Sequence, residues 1–209
     1  MTQKFFNYKF SEYKDEDNFY VNDTNLECFN VIINPLFDQN IFLFGPIKSG
    51  KSHLANIWKE KNDAIFYNDN FDQIIQIKKN LVIDDIFQVL SEESIFHLIN
   101  HCKLFNLKIL VTSSVQLNKN NFMLQDVYSR LRSFYHTIIY NPDDDMCKII
   151  MTKLFHEKQI IIKNIEIFDY ILNRVSRTYE DIFSLVQKLD KLSLEKKREL
   201  TIPLIREIL

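Results

Sequence analysis

Residues 45–52 match the phosphate-binding pattern G-x-x-x-x-G-K-S, in which each residue type has a chemical reason. The 209-residue chain contains only two glycines, Gly45 and Gly50, and both lie in this stretch. Glycine is required where a Cβ would block a phosphate or where φ is positive. Lys51 can reach the terminal phosphates of a nucleotide, and Ser52 can ligate Mg²⁺ at the start of a helix whose N-terminus favours an anion.

The flanking residues favour a nucleotide site over a chance match in a turn. The apolar run IFLF precedes the pattern and SHLANIWKE continues it as a helix, which gives the order of strand, loop and helix that phosphate binding needs. We therefore predict that this loop binds the phosphates of a nucleotide together with Mg²⁺. The residues predicted to contact the nucleotide are Gly45, Pro46, Ile47, Lys48, Ser49, Gly50, Lys51, Ser52 and His53.

Two neighbouring acids, Asp84 and Asp85, follow the apolar run LVI and form a second chemical group. At the end of a buried strand, Asp84 would lie beside the metal ion with Ser52, and Asp85 beside the water that attacks the γ-phosphate. Strands also end in aspartate for reasons of turn geometry. Here one further predicted strand separates the acids from the phosphate loop, which is typical of ATPases of the AAA+ type rather than of nucleotide kinases.

The run ILVTSS, residues 109–114, ends in hydroxyl side chains. Its strand would lie between the strand of the phosphate loop and the strand of the acid pair. Thr112, Ser113 or Ser114 could therefore hold the attacking water. A turn rich in serine and threonine at the end of a strand is the alternative interpretation.

Two arginines, Arg130 and Arg132, precede the last predicted strand within LQDVYSRLRSF. An arginine at this place can project from the edge of one subunit into the nucleotide site of a neighbour and stabilise charge in the transition state. A solvated arginine on a helix surface is the alternative.

Five apolar runs predict strands, and the longer stretches between them predict helices. The predicted strands are 41–44, 64–67, 81–85, 108–114 and 136–140. Helical stretches at about 50–61, 92–106 and 123–132 are long enough to connect parallel strands. The predicted fold is a three-layer α/β domain around a five-stranded parallel sheet.

The last third of the chain follows a helical pattern alone. Pro142 ends the last predicted strand, Asp143 to Asp145 predict a helix cap and first turn, and later apolar residues recur at helical spacing. We predict a nucleotide-binding domain at 1–141, with an N-terminal arm at 1–17, and a small all-helical lid domain at 142–209.

The composition excludes several other classes of protein. The formal net charge of -2 gives no general attraction to nucleic acid or to an anionic membrane. The sequence has no uninterrupted apolar run long enough to span a bilayer and no secretory leader, so we expect a cytoplasmic protein without a membrane anchor. Cys28, Cys102 and Cys147 are far apart and lack the paired spacing of a zinc site, so we expect reduced thiols.

Together these stretches resemble the DnaA family of AAA+ ATPases, and within it the short regulators of the Hda type, over nearly the whole chain. The matching stretches are NFYVNDTN (18–25), GPIKSGKSHLANIW (45–58), LVIDDI (81–86), DVYSRL (126–131) and LTIPLIREIL (200–209). The resemblance implies that residues 45–52 bind phosphates and that Asp84 and Asp85 serve Mg²⁺ and water. It further implies that Ser114 is the sensor 1 residue and that Arg130 is the arginine finger.

The chain departs from the family in the lid. The sensor 2 arginine of the family aligns with Phe183, and the nearest arginines, Arg174 and Arg177, come earlier in the sequence. We therefore expect intrinsic ATP hydrolysis to be weak or absent.

The resemblance implies a regulator of replication initiation that acts on a partner. Hda-type proteins bind ADP or ATP, associate with the DNA polymerase III sliding clamp on DNA, and present the finger to ATP-bound DnaA, whose ATP is then hydrolysed so that re-initiation is prevented. The segment QKFFNYKF is the candidate clamp peptide, with Gln3, Phe6 and Tyr8 as its contacts, although Lys4 interrupts the apolar alternation of the family's peptide. The alternative is a solvated arm.

Further expectations concern assembly and DNA. A homo-oligomer is possible. The chain stops at Leu209, where DnaA continues into a helix-turn-helix domain, so we expect no direct sequence-specific DNA binding. Two other classes stay open: a P-loop kinase for a small molecule, which needs lid arginines near the phosphates, and a helicase-loader-like ATPase, which needs a basic groove with aromatic residues for single-stranded DNA.

Overall fold

A five-stranded parallel sheet forms the centre of the computed structural model, which describes residues 16–68 and 70–209. The strands are β1 (Ile41–Phe44), β2 (Ala64–Phe66), β3 (Asn80–Ile83), β4 (Ile109–Ser113) and β5 (Tyr135–Ile138). Their order is β2-β3-β4-β1-β5, and every neighbouring pair is parallel. The predicted strands are confirmed, and so is the position of β4 between β1 and β3.

Helices connect the strands and then continue alone to the end of the chain. They are α1 (Leu26–Ile33), α2 (Lys51–Lys61), α3 (Phe71–Ile77), α4 (Ile86–Val89), α5 (Glu92–Leu104), α6 (Gln125–Arg132), α7 (Asp144–Glu157), α8 (Glu166–Leu172), α9 (Tyr179–Lys196) and α10 (Ile202–Ile205). The predicted α/β fold with a helical lid is confirmed, whereas the predicted boundary between residues 141 and 142 stays a prediction.

Both faces of the sheet are covered, because successive side chains of a strand point to opposite faces. Ile41 and Leu43 of β1 pack in the cluster that contains buried residues of α1 and α2. Phe42, which lies between them, packs in the cluster that contains buried residues of α5 and α6. The carboxyl ends of the parallel strands consequently meet at one edge of a sheet that is shielded above and below.

No sequence pattern predicts α1 and α3, because each helix is too short to show a clear period of apolar residues. Tertiary contacts hold both helices: Cys28 and Ile32 of α1 are buried one turn apart, and Ile74 of α3 is buried against the opposite face. The Asn70 side chain also caps α3 by accepting the N–H of Gln73 at 3.1 Å. The α3 connection is required because β2 and β3 are parallel neighbours.

The helices α7 to α10 surround a core of their own but remain joined to the sheet. Asp143 caps α7 by accepting the N–H of Met146 at 2.7 Å, as predicted. Cys147 belongs to the lid core, whereas the preceding Met146 packs with residues beside the sheet. Tyr179, at the start of α9, packs in that same sheet-side cluster. In the described residues, no helix has the length and apolar character needed to cross a membrane.

Replacing a side chain in the central strand tests how strongly the sheet depends on this packing. We expect Leu43→Ala to lower the free energy of unfolding by about 2–5 kcal/mol, because it leaves a cavity at a fully buried site. Urea denaturation measures this change. The matched control is Leu36→Ala at a leucine that is 88% exposed, which we expect to change stability by no more than about 0.5 kcal/mol. Equal losses in the two variants would contradict the packing described for β1.

Candidate functional site

The loop between β1 and α2 folds so tightly that its two glycines have no room for a side chain. A Cβ on Gly45 would lie 3.0 Å from the Cβ of Ile139 and 3.0 Å from Ser49 Oγ. Gly50 has a φ of 95°, which side chains rarely tolerate, and a Cβ there would lie 3.0 Å from a ring carbon of Phe19. These contacts give a structural reason for both glycines.

The N-terminus of α2 offers backbone N–H groups at the end of this loop. Gly50 is the N-cap residue and forms no side-chain cap. The N–H groups of His53 and Leu54 donate to the Gly50 carbonyl at 3.0 Å. No corresponding acceptor among residues 16–68 and 70–209 contacts the N–H groups of Lys51 and Ser52. A free helix N-terminus of this kind binds phosphate, since its N–H groups and its dipole both favour an anion.

Lys51 lies inside the loop and helps to hold its shape. Its ammonium group donates to the carbonyl of Gly45 at 2.9 Å and to that of Pro46 at 2.7 Å. One of its three N–H donors is thus left over. Burial lowers the pKa of Lys51, and the negative charges of Asp85 and Asp84 act in the opposite direction. An anion bound in the loop would favour the charged form of this lysine.

The Asp84 carboxylate joins three elements of the site. One of its oxygens accepts the Ser52 hydroxyl of α2 at 2.5 Å, and the other accepts the Thr112 hydroxyl of β4 at 2.5 Å. Asp84 itself follows directly after β3. The structure therefore brings together the predicted metal ligands Ser52 and Asp84.

Asp85 follows with a left-handed backbone, at a φ of 54°. Its N–H donates to Thr112 Oγ1 at 2.8 Å, and its carboxylate accepts the Gln88 side-chain amide at 2.7 Å. The backbone N–H of Ser114 lies 3.4 Å from the same carboxylate. Asp85 thus lies beside the end of β4. Its role toward a water molecule stays a prediction.

The three hydroxyl candidates at the end of β4 have different surroundings. Thr112 contacts both acids, as described above. The Ser113 hydroxyl instead donates to the Val115 carbonyl at 2.7 Å and accepts the Val115 N–H, so it stabilises a turn. Ser114 approaches Asp85 through its backbone. The alternation of side chains along a strand is the signal that could have set Ser113 apart, because it turns the Ser113 side chain to the face opposite Thr112.

The donor set fits the phosphates of a nucleotide with Mg²⁺. The Ser52 hydroxyl and the Asp84 carboxylate are hard oxygen ligands of the kind that Mg²⁺ binds alongside substrate phosphates. Ser49 Oγ is buried within the loop and lacks a hydrogen-bond partner in the described part of the chain, so it has a donor to spare for a phosphate oxygen. A bound Mg²⁺ would supply charge neutralisation at the β- and γ-phosphates.

The segment that precedes α1 lies against the start of α2. The Phe19 ring stacks on Phe29 with a centroid separation of 5.8 Å and meets the ring of His53 edge-on at 5.2 Å. Of the remaining predicted contacts, Pro46 is half-buried, and Ile47 and Lys48 are exposed. The predicted clamp residues Gln3, Phe6 and Tyr8 lie outside the described residues.

The lid reaches the phosphate loop through an aromatic residue. The ammonium group of Lys48 lies 5.1 Å from the centre of the Phe183 ring on α9. Arg174 instead stacks on Tyr170 at 3.7 Å, and Arg177 forms an ion pair with Asp144. No sequence pattern predicts the contact between Lys48 and Phe183, because the two residues are distant in the chain and only the fold brings them together.

Arg130 and Arg132 lie in the last turn of α6. The Arg130 guanidinium lies 4.6 Å from the centre of the Phe96 ring on α5. Arg132 is exposed and lines a cleft of about 380 Å³ with residues of β1 and β5. Within the described residues, neither arginine forms an ion pair with a carboxylate.

The cysteines take no part in the site. Cys28, Cys102 and Cys147 are buried and free, and burial raises the pKa of Cys102 to about 12. Such thiols stay protonated and unreactive. The described part of the chain contains no group of three or more histidine, cysteine, aspartate or glutamate residues arranged to hold a metal ion.

Comparisons with known proteins found a matching family model, a relative and solved structures of similar fold. Residues 148–209 match the family described as Hda, lid domain. A relative, the chromosomal replication initiator protein DnaA of Buchnera aphidicola subsp. Cinara cedri (strain Cc), is 26% identical over 205 residues, covering 83% of this chain. The chain spans 46% of the length of that initiator.

Solved structures share the fold at lower identity. Domain III of the Thermotoga maritima replication initiation protein DnaA superposes with a TM-score of 0.72 at 15% identity, covering 94% of this chain and 95% of that one. AMPPCP-bound DnaA from Aquifex aeolicus superposes with a TM-score of 0.65 at 21% identity, covering 87% of this chain and 67% of that one. These likenesses concern the arrangement of the sheet and helices.

Thr112 tests whether the hydrogen bonds around the acids matter for binding. We expect Thr112→Val to lower Mg²⁺-dependent ATP affinity by about 10- to 100-fold, because Asp84 loses a partner that orients it. Titration of a fluorescent ATP analogue with and without Mg²⁺ measures the change.

The matched control is Thr137→Val in β5, where a buried threonine hydroxyl donates to Cys28 Sγ at 3.1 Å instead. This variant should bind ATP as the parent does. If both variants lose affinity to the same extent, the effect comes from altered strand packing, and the role given to Thr112 is wrong.

Proposed function

We propose that this chain, an Hda-like AAA+ protein related to DnaA, binds ADP or ATP with Mg²⁺ and regulates replication initiation by acting on DnaA. In this proposal it associates with the sliding clamp on DNA and stimulates hydrolysis of the ATP bound to DnaA. DnaA that has started one round of replication is thereby prevented from starting another.

One observation carries the proposal: the chain combines a phosphate loop and an acid pair with a guanidinium that has no acidic partner among residues 16–68 and 70–209. Lys51 donates to the Gly45 carbonyl within the loop, and the neighbouring Ser52 donates to the Asp84 carboxylate. Arg130 lies on α6, in contact with Phe96, and forms no ion pair within the described residues. An arginine whose charge is not neutralised by an acid of its own chain is available to a neighbouring subunit.

The chemistry follows from the charge that develops during phosphoryl transfer. Negative charge spreads over the transferring phosphoryl group, and a guanidinium supplied by a second protein stabilises it. In this proposal, the nucleotide held by residues 45–53 keeps this chain in a binding-competent shape. Arg130 then acts in the site of DnaA, and that site supplies the metal ion and the attacking water.

The lid contact supports a regulatory rather than a strongly hydrolytic role. Phe183 occupies the place that the resemblance assigns to a lid arginine, and it lies against Lys48. A phenyl ring cannot donate a hydrogen bond to the γ-phosphate. We therefore propose that the chain hydrolyses its own ATP weakly, and that the clamp contact through Gln3, Phe6 and Tyr8 localises it to replicated DNA.

Nucleotide binding is tested at the loop lysine. We expect Lys51→Ala to weaken ADP and ATP binding by about 10- to 100-fold, because charged hydrogen bonds to phosphate contribute about 1.5–3 kcal/mol. Isothermal titration calorimetry measures the affinity. Lys59→Ala, at the other end of α2, is the matched control and should bind normally. Unchanged binding by Lys51→Ala would remove the phosphate loop from the proposal.

The finger is tested by stimulation of DnaA. We expect purified chain to accelerate ATP hydrolysis by DnaA in the presence of clamp loaded on DNA. Arg130→Ala should remove this acceleration while nucleotide binding persists, since arginine fingers contribute about 10³- to 10⁵-fold. Release of radiolabelled phosphate from DnaA-bound ATP measures the rate.

Arg132→Ala is the control, because it removes an exposed arginine two residues further along the same helix. It should stimulate as the parent does. Equal stimulation by Arg130→Ala and the parent would refute the finger assignment. Absence of stimulation by the parent, combined with binding of single-stranded DNA, would instead favour the helicase-loader function.

A further inference from the structure

The Arg130 side chain rests on an aromatic ring, and this contact has consequences for how the arginine is presented. Its guanidinium carbon lies 4.6 Å from the centre of the Phe96 ring, well within the range of a cation–π interaction. Phe96 is half-buried on α5, and it packs against the cluster that contains the buried residues of α6. The ring is therefore partly held by this packing.

An aromatic neighbour suits an arginine that must bind an anion elsewhere. A carboxylate would hold the guanidinium by accepting its N–H groups, and it would also neutralise the charge. A ring contacts the guanidinium through its face and leaves all five N–H donors available. Among the described residues Arg130 has no acidic partner, so the ring restricts its position without reducing its charge.

The same face of α5 also fixes the start of α6. The Glu92 carboxylate accepts the backbone N–H groups of Met123 at 3.1 Å and Leu124 at 2.6 Å, immediately before α6 begins. Glu92 and Phe96 are four residues apart, so they lie on one face of α5. The helix α5 thus holds α6 at its start through Glu92 and near its end through Phe96.

We propose that Phe96 is a positioning residue that holds the Arg130 guanidinium in the orientation in which it enters the partner's nucleotide site. This inference rests on the proposed function and adds a residue to it. Phe96 does not touch the partner's nucleotide. Within the complex of the two proteins, it reduces the number of conformations that the long arginine side chain must give up to reach the transition state.

The test compares Phe96→Leu with Phe96→Tyr in the DnaA hydrolysis assay with loaded clamp. Phe96→Leu removes the ring, and we expect the maximal stimulated rate to fall about two- to fivefold while the concentration of chain that gives half-maximal stimulation stays unchanged. Phe96→Tyr keeps the ring and should restore the parent's rate. In an Arg130→Ala background, Phe96→Leu should cause no further loss.

Phe105→Leu is the matched control. Phe105 directly follows α5 and is also covered by a cation, since the Lys78 ammonium lies 4.3 Å from its ring centre. Its replacement removes a comparable contact away from Arg130 and should leave stimulation unchanged. Thermal unfolding of all variants reports whether each one folds.

A second readout does not depend on DnaA. A ring face shifts nearby protons upfield, so the Arg130 Nε–H signal, assigned by its loss in Arg130→Lys, should lie upfield in the parent and in Phe96→Tyr. It should move to an ordinary position in Phe96→Leu. Parent-like rates or an unmoved signal in a folded Phe96→Leu would overturn the positioning role alone. Absence of stimulation by the parent would overturn the proposed function, and the positioning role with it.

Discussion

The carboxylate of Asp84 is the interaction on which the site depends, because it ties together elements that are distant in the chain. It accepts a hydroxyl from α2 through Ser52 and another from β4 through Thr112, and it stands at the end of β3. The parallel sheet makes this possible by bringing three strand ends to one edge. The loop, Lys51 and the free N-terminus of α2 can act together on a phosphate only while that edge of the sheet keeps them next to the acids.

Much of this arrangement could be predicted from the sequence, because the phosphate loop and the acid pair are local patterns with a required chemistry. The five strands and the position of β4 were equally accessible from apolar runs. The choice of Thr112 over Ser114 was not, since both residues carry hydroxyls on the same side of the strand and only their partners differ. The short helices α1 and α3 could not be predicted for another reason, because long-range packing and not an intrinsic pattern keeps them helical.

Contacts between separate parts of the fold were the hardest to foresee. No spacing rule relates Lys48 to Phe183, or Phe96 to Arg130, since each pair meets only after the layers have assembled. Both are contacts between a cation and a ring, and neither cation forms an ion pair with a carboxylate among the described residues. In both places an aromatic ring contacts a basic group that a carboxylate would have neutralised. A basic group that keeps its charge can bind a phosphate, which suits a protein proposed to act on phosphates.

The two cores of the molecule are connected through neighbouring residues of α7 and through Tyr179. Met146 and Tyr179 pack in the core beside the sheet, while Cys147 and the later turns of α9 pack in the lid core. Such sharing makes the junction part of a single cooperative unit. Because the Tyr179 side chain packs with the sheet, unwinding of the first turn of α9 disturbs that packing, whereas the exposed end of α9 can fray on its own.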